Sequence, residues 1–149
     1  MIFAHTHTWI TGASPHTGRA KTQTRRLVPP YTTCQFLMNG GSAFRPVGIL
    51  PTGATVLAVY KYKGDGQYRL AYEVGRTYAV QPGRGKPAVA RFRLKRIRLE
   101  RLQEIGLADA QAEGCRDVAH FRGLWTEIHG DGENSWEANP PVFVLEMEV

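Results

Sequence analysis

The side chains best suited to chemistry lie in one run, Gly18-Arg19-Ala20-Lys21-Thr22-Gln23-Thr24-Arg25-Arg26. It gathers Arg19, Lys21, Arg25 and Arg26 with two hydroxyls and an amide, and it contains no acid. Every long side chain in it bears a charge or an amide, so it cannot be buried cheaply. The run therefore faces solvent or lines a site for an anionic or polar ligand. A lysine in such company becomes a nucleophile or base when apolar walls and neighbouring cations disfavour its ammonium form. The β-branched threonines favour an extended segment with Thr22 and Thr24 on one face and Lys21 and Gln23 on the other. On a helix Lys21 and Arg25 would meet as like charges at i,i+4.

Other reactive types are weaker candidates. His5 and His7, with His16 after a Ser-Pro turn, invite a metal reading, yet no carboxylate lies close in sequence. The segment reads as a polar entry anchored by Trp9, and no metal or cofactor is expected. Cys34 and Cys115, the only cysteines, match no metal spacing and read as reduced and buried. Pro82-Gly83-Arg84-Gly85-Lys86-Pro87 lacks the spacing and following helix of a phosphate-cradling loop and reads as a hairpin tip.

The elements that must position the basic run are mostly β. Met1 to Ala4 predicts a short strand, and His5 to Thr11 a loosely alternating extended segment. Gly12 to Gly18 is a turn-rich loop, and Pro29-Pro30 ends whatever follows Arg26. Residues 31–54 are weakly patterned and broken by Gly40-Gly41, Pro46, Gly48, Pro51 and Gly53, a long excursion in which Tyr31, Phe36 and Phe44 either tack the loop down or present stacking faces. Thr55 to Lys63 and Gln67 to Tyr72 predict a hairpin turned at Gly64-Asp65-Gly66, and Thr77 to Val80 a further strand.

Ala88 to Leu102 is the strongest strand. Its apolar phase slips between Leu94 and Ile97, which predicts a β-bulge near Lys95-Arg96. Arg91, Arg93, Lys95 and Arg98 form either an electropositive stripe or a solvated face. Two helices follow, Gly106 to Glu113 and Val118 to His129; in the second, Val118, Phe121, Leu124, Trp125 and Ile128 recur as one buried face. The last strand places Phe143, Leu145, Met147 and Val149 together. The expected fold is a single domain over 1–149, mixed and mostly β: a small closed barrel with two short helices inserted before the last strand, closure removing strand edges.

Net charge is +6, but its distribution says more. Residues 1–101 hold 17 basic and 3 acidic side chains; residues 102–149 hold 2 and 10. So lopsided a basic half suggests a nucleotide or nucleic-acid partner, with the acidic half pairing part of it. Nothing reaches transmembrane length and no signal peptide is evident, so a cytoplasmic protein without a membrane partner is expected.

Three stretches resemble the ASCH superfamily, whose domains have a PUA-like barrel, and more narrowly its phage and bacterial members. They are Gly18 to Arg26; Glu100 to Ile105 with Ala108-Asp109-Ala110 and Ala112-Glu113-Gly114; and Phe121-Arg122-x-Leu124-Trp125 with Trp136, Asn139-Pro140 and the closing strand. Ala20 is an extra residue in the first motif, and Tyr78-Ala79-Val80-Gln81 stands where that family commonly carries Trp-Val-Arg-Glu. The resemblance implies an amidohydrolase acting on an N4-acylated cytidine or a related modified nucleoside or RNA base. It places a catalytic lysine on Lys21, a hydroxyl on Thr24 and a carboxylate on Glu113. Arg19, Gln23, Arg25, Arg26, Tyr78, Arg91, Arg93 and Arg98 are the expected binding residues for substrate or nucleic acid. Three readings stay open. The first is this hydrolase, with Trp9 or Tyr78 as pocket walls. The second is an RNA-binding module or ribonuclease with an open groove from Arg25 and Arg26 to Arg91, Arg93 and Arg98. The third is a non-catalytic partner in which Lys21 and Glu113 are only an ion pair.

Overall fold

The computed structural model describes residues 1–3, 6–38, 41–50 and 54–149. In chain order the elements are α1 (His7–Thr11), β1 (Gln23–Leu27), β2 (Thr33–Met38), β3 (Gly41–Pro46), β4 (Thr55–Gly64), β5 (Gln67–Glu73), β6 (Thr77–Val80), β7 (Ala90–Arg101), α2 (Leu107–Ala112), α3 (Val118–His129) and β8 (Pro141–Glu148). Short 3₁₀ turns follow β3 and β7.

All named strands pair antiparallel in one sheet of order β1-β8-β7-β4-β2-β3, with β5 also on β4 and β6 on β7. The sheet does not close, which corrects the expected barrel: among the described residues the end strands β1 and β3 do not pair with each other. Only the β1 end is covered in place of closure, while β3 is mostly exposed. The N-terminal segment and α3 stand over β1, and β2 and β3 form a terminal hairpin of their own.

β8 threads the centre. Its Val142, Phe143, Val144 and Leu145 are all fully buried, because both faces of the sheet are covered here. Phe143, Leu145 and Met147 join Phe92, Leu94, Ile97, Val56 and Val59 in one core. Val142 and Val144 face Leu102, Ala110, Phe121 and Trp125 in a second core under the helices. Each such side chain contributes about 1.5–3 kcal/mol on burial. Val149, expected to share the first face, is exposed.

The bulge sits where the apolar phase slips. Leu94 pairs with Met147 and Arg96 with Glu146, leaving Lys95 unpaired, so Phe92, Leu94 and Ile97 all stay inside. The hairpin at Gly64-Asp65-Gly66 and helix α3 also stand where the sequence puts them. Asp117 caps α3 by accepting the His120 backbone N–H at 2.8 Å, and Gly130 ends it at φ 66°.

Two further expectations fail. The N-terminus contributes one parallel bridge, Ile2 to Gln81, and then turns into α1, so His7 and Trp9 lie on a helix. The 31–54 excursion contains β2 and β3 in register from Thr33–Pro46 to Met38–Gly41. Ala4, His5, Gly40, Pro51 and Gly53 lie outside the described residues.

Candidate functional site

Lys21 enters β1 under three backbone constraints. Its N–H donates to Trp9 O at 2.7 Å, the Thr22 N–H donates to Ala112 O at 2.9 Å, and the Met147 N–H donates to Thr22 O at 2.8 Å. Thr22 is thus clamped between the end of α2 and the central strand. Glu113 occupies the matching place at the end of α2. Cys115 N donates to Ala110 O and Gly114 N to Gln111 O, the paired bonds of a Schellman ending in which Gly114 takes φ 91°. The Ser14 hydroxyl donates to Gly114 O. A Cβ on Gly114 would lie 2.6 Å from Cε3 of the Trp9 indole, so Trp9 touches both partners: its carbonyl holds Lys21 and its ring packs on Gly114.

These constraints bring together side chains 92 residues apart. Lys21 Nζ donates to Glu113 Oε2 at 2.8 Å, with the side chains 5% and 3% exposed. Arg25 Nη1 holds the other oxygen, Oε1, at 3.2 Å. Burial of two charges is tolerable here because each is paired and hydrogen-bonded. The Arg25 side chain is wholly buried and its guanidinium also reaches Gln23 Oε1 at 2.8 Å, Glu100 Oε2 at 3.1 Å and Asp109 Oδ2 at 3.4 Å. Arg98 extends the chain of charges to Glu100, Asp109 and Glu146. Burial raises the affinity of Asp109 for a proton, but the Gln23 hydrogen bond and the Arg25 and Arg98 charges outweigh it and hold its pKa below the usual carboxylate value.

The dyad forms one wall of a cavity of about 290 Å³. Thr24, Arg26, Phe3, Phe121, Trp125 and His129 contribute to the rest of its lining. Thr24 is buried, and its side chain makes no hydrogen bond among the described residues. Arg26 donates from Nη2 to Ile2 O at 2.7 Å and lies over the Phe3 ring at 4.8 Å, and its buried Nε has no hydrogen-bond partner among the described residues. Burial lowers its pKa, with partial opposition from Tyr72 and Glu113. Burial, and then Arg26, also hold His129 below its ordinary value. Among the described residues no three His, Cys, Asp or Glu side chains converge as metal ligands.

The structure thus groups Lys21, Thr24, Arg25, Arg26 and Glu113 and separates the other expected binders. Gln23 and Arg98 are tied into the internal network. Arg19 is exposed in the preceding turn. Arg91 and Arg93 are exposed on the outer face of β7, Arg93 reaching Glu148 at 3.9 Å. An open groove from Arg25 to Arg98 does not form, because both guanidinium groups turn inward onto acids. The expected aromatic walls also differ. The Tyr78 hydroxyl accepts the Glu73 N–H at 2.8 Å and its ring stacks on Phe92, while Trp9 lies behind the dyad. Phe3, Phe121, Trp125 and His129 take that place. The periodicity of α3 marked Phe121 and Trp125, but periodicity does not separate a face packed on a core from one lining a hollow.

Neither a family model, nor a curated protein, nor a solved structure matches this chain. With the sheet open as well, the ASCH resemblance and its barrel are withdrawn. Among the described residues no helix is long and apolar enough to cross a membrane.

Proposed function

We propose that the cavity hydrolyses an amide on a small flat substrate, with an N4-acylated cytidine as the representative compound. The observation that carries this reading is the Lys21–Glu113 pair, buried at 2.8 Å in the wall of a hollow that the Thr24 and Arg26 side chains also line. A volume of about 290 Å³ suits a nucleobase-sized ligand better than a folded nucleic acid. Phe3, Phe121 and Trp125 offer apolar ring surfaces to a planar base.

In the proposed reaction Glu113 takes the ammonium proton of Lys21, and the free amine removes a proton from an attacking water. Thr24 donates to the oxyanion as the carbonyl becomes tetrahedral. Glu113 then passes its proton to the departing amine. Lysine acting as the nucleophile is disfavoured on chemical grounds. The acyl-lysine formed would be an ordinary alkyl amide, harder to hydrolyse than an amide on an aromatic amine. Arg26, in the cavity lining, places a positive charge beside the substrate carbonyl or ring.

The test is to incubate the protein with N4-acetylcytidine and follow cytidine by chromatography. Lys21→Ala and Glu113→Gln are expected to lower kcat about 10²–10⁴-fold, and Thr24→Val about 10²–10³-fold. Absence of turnover by the wild-type protein, or turnover that survives Lys21→Ala, overturns the reading. An acyl adduct on Lys21 seen by mass spectrometry would return lysine to the nucleophile's role.

A further inference from the structure

The opposite end of the strand order carries an unusual surface. A sheet face in contact with water is ordinarily polar, yet Tyr31, Phe44, Tyr62 and Tyr68 are 78%, 60%, 41% and 48% exposed. The strand register gathers Phe44, Tyr62 and Tyr68 on β3, β4 and β5, with Tyr31 in the turn ahead of β2: Tyr62 stands across from Tyr68, Thr33 across from Tyr60, and Gln35 across from Phe44. Ring centres lie 5.8 Å apart for Tyr31 and Tyr62, 5.4 Å for Tyr62 and Tyr68, and 5.9 Å for Phe44 and Tyr60. Tyr31 adopts φ 58°, a left-handed conformation uncommon for a bulky residue, so its exposed ring is presented at a backbone cost.

A second observation concerns charge. Residues 31–70 carry Arg45, Lys61, Lys63 and Arg69 against the single acid Asp65. Among the described residues none of these four cations joins an ion pair. Lys61 and Arg69 stand directly across from each other, a like-charge arrangement that costs stability. The Lys61 ammonium lies over the Tyr72 ring, at 5.4 Å. Burial, then Arg69 and Arg26, lower the Lys61 pKa. Cations left unneutralised around exposed rings are complementary to a polyanion with flat, apolar bases.

We propose that this face binds single-stranded nucleic acid, its bases stacking on Tyr31, Phe44, Tyr62 and Tyr68 and its phosphates drawn to Arg45, Lys61, Lys63 and Arg69. Beyond Tyr60 the β4–β5 hairpin leaves β2 and continues as a two-stranded ribbon. Strand alternation places the rings on one side of the ribbon and Lys61 and Arg69 on the other. In this proposal the backbone of a strand lying across the rings runs along the edge of the ribbon, within range of the electrostatic attraction of these cations. A duplex keeps its base faces stacked internally and cannot use such a platform. The site is separate from the cavity and does not depend on the reaction proposed there.

The test is fluorescence anisotropy with a labelled 12-nucleotide oligouridylate at several salt concentrations. Binding is expected to weaken with salt, log affinity falling with a slope of about −3 for contacts to four phosphates. Tyr62→Ala and Tyr68→Ala should each weaken binding at least about fivefold, whereas Tyr62→Phe, which keeps the ring, should stay within about twofold. Replacing Lys61 and Lys63 together by alanine should reduce the slope by about 1.4. Lys21→Ala, in the cavity, should leave oligonucleotide affinity unchanged. The rings are solvent-exposed, so circular dichroism of the variants is expected to match wild type. Three outcomes overturn the proposal: no oligonucleotide binding, affinity unmoved by the tyrosine changes, or self-association that Tyr62→Ala and Tyr68→Ala abolish without any nucleic-acid binding.

Discussion

At the scale of single residues, Lys21, Arg25 and Glu113 carry different loads although they form one cluster. Among the described residues the Lys21 side chain hydrogen-bonds only Glu113, whereas that of Arg25 bonds Gln23, Glu100, Asp109 and Glu113. Lys21→Ala leaves Glu113 one cation, Arg25, on Oε1. Its expected cost is therefore about 2 kcal/mol, below the range for a fully orphaned buried charge. Arg25→Lys keeps the charge and loses the fork. One ammonium cannot serve acids on several sides, so a loss of about 3 kcal/mol is expected. Urea denaturation of the two variants gives the comparison, and the argument fails if Lys21→Ala proves the more damaging. The cysteines present a contrasting case. Burial pushes the Cys34 thiol up to about 12 and Cys115 to about 11, so neither should react with a thiol reagent at pH 8 unless the protein is first unfolded.

At the scale of elements, the site depends on how α2 ends. Gly114 needs its positive φ for the Schellman bonds, and it also makes room for the Trp9 indole. Gly114→Ala is therefore expected to cost roughly 2–5 kcal/mol, from left-handed strain and overpacking together. Because Trp9 O holds the Lys21 N–H, a displaced indole should also misplace the dyad, and activity should fall further than stability alone explains. Thermal melts read beside kcat at a temperature where the variant remains folded test this. Much of this element was legible: a short helix ending at Gly114 follows from the sequence, as does the bulge, since Leu94 and Ile97 cannot both face inward without an extra residue between them. The Trp9 contact was not legible, because it joins residues 105 apart, and local patterning carries no information about such a meeting. The β2–β3 hairpin was hidden for a related reason. Thr33-Cys34-Gln35-Phe36 alternates, with Cys34 and Phe36 buried, but the run is short, Leu37-Met38 breaks its period, and Gly40-Gly41 reads equally as a break or as a turn. Closure was overestimated from the number of strands, which does not determine whether the last edge is paired or covered.

Across the whole molecule, a basic first half and an acidic second half are joined by ion pairs, buried at Lys21 and Arg25 and exposed at Arg93 and Arg96. Lys21, Arg25, Arg93, Arg96 and Arg98 come from one, and Asp109, Glu113, Glu146 and Glu148 from the other. Stability should consequently fall in two stages as pH drops. His129 has a folded-state pKa below 6.5, set by burial and then Arg26, so the unfolded chain takes up its proton first. More protons bound to the unfolded state means that stability rises with pH, and it is lost as pH falls from 6.5 toward the lowered value. His120 acts in the same direction, held down by burial, Arg116 and His16 against Asp117. Its Nδ1 accepts the Arg116 N–H at 3.0 Å, a bond that a proton on that nitrogen would break. The second stage belongs to Asp109, whose folded pKa lies below its ordinary 3.8. Its contribution is complete above that value and disappears as pH falls through the depressed one, leaving Arg25 and Arg98 with fewer partners. Urea midpoints measured from pH 7.5 to 3 should show both stages. His129→Gln should flatten only the upper stage, and Asp109→Asn should remove part of the lower one. An unchanged pH profile in Asp109→Asn would mean that the interior network does not couple the two halves of the chain.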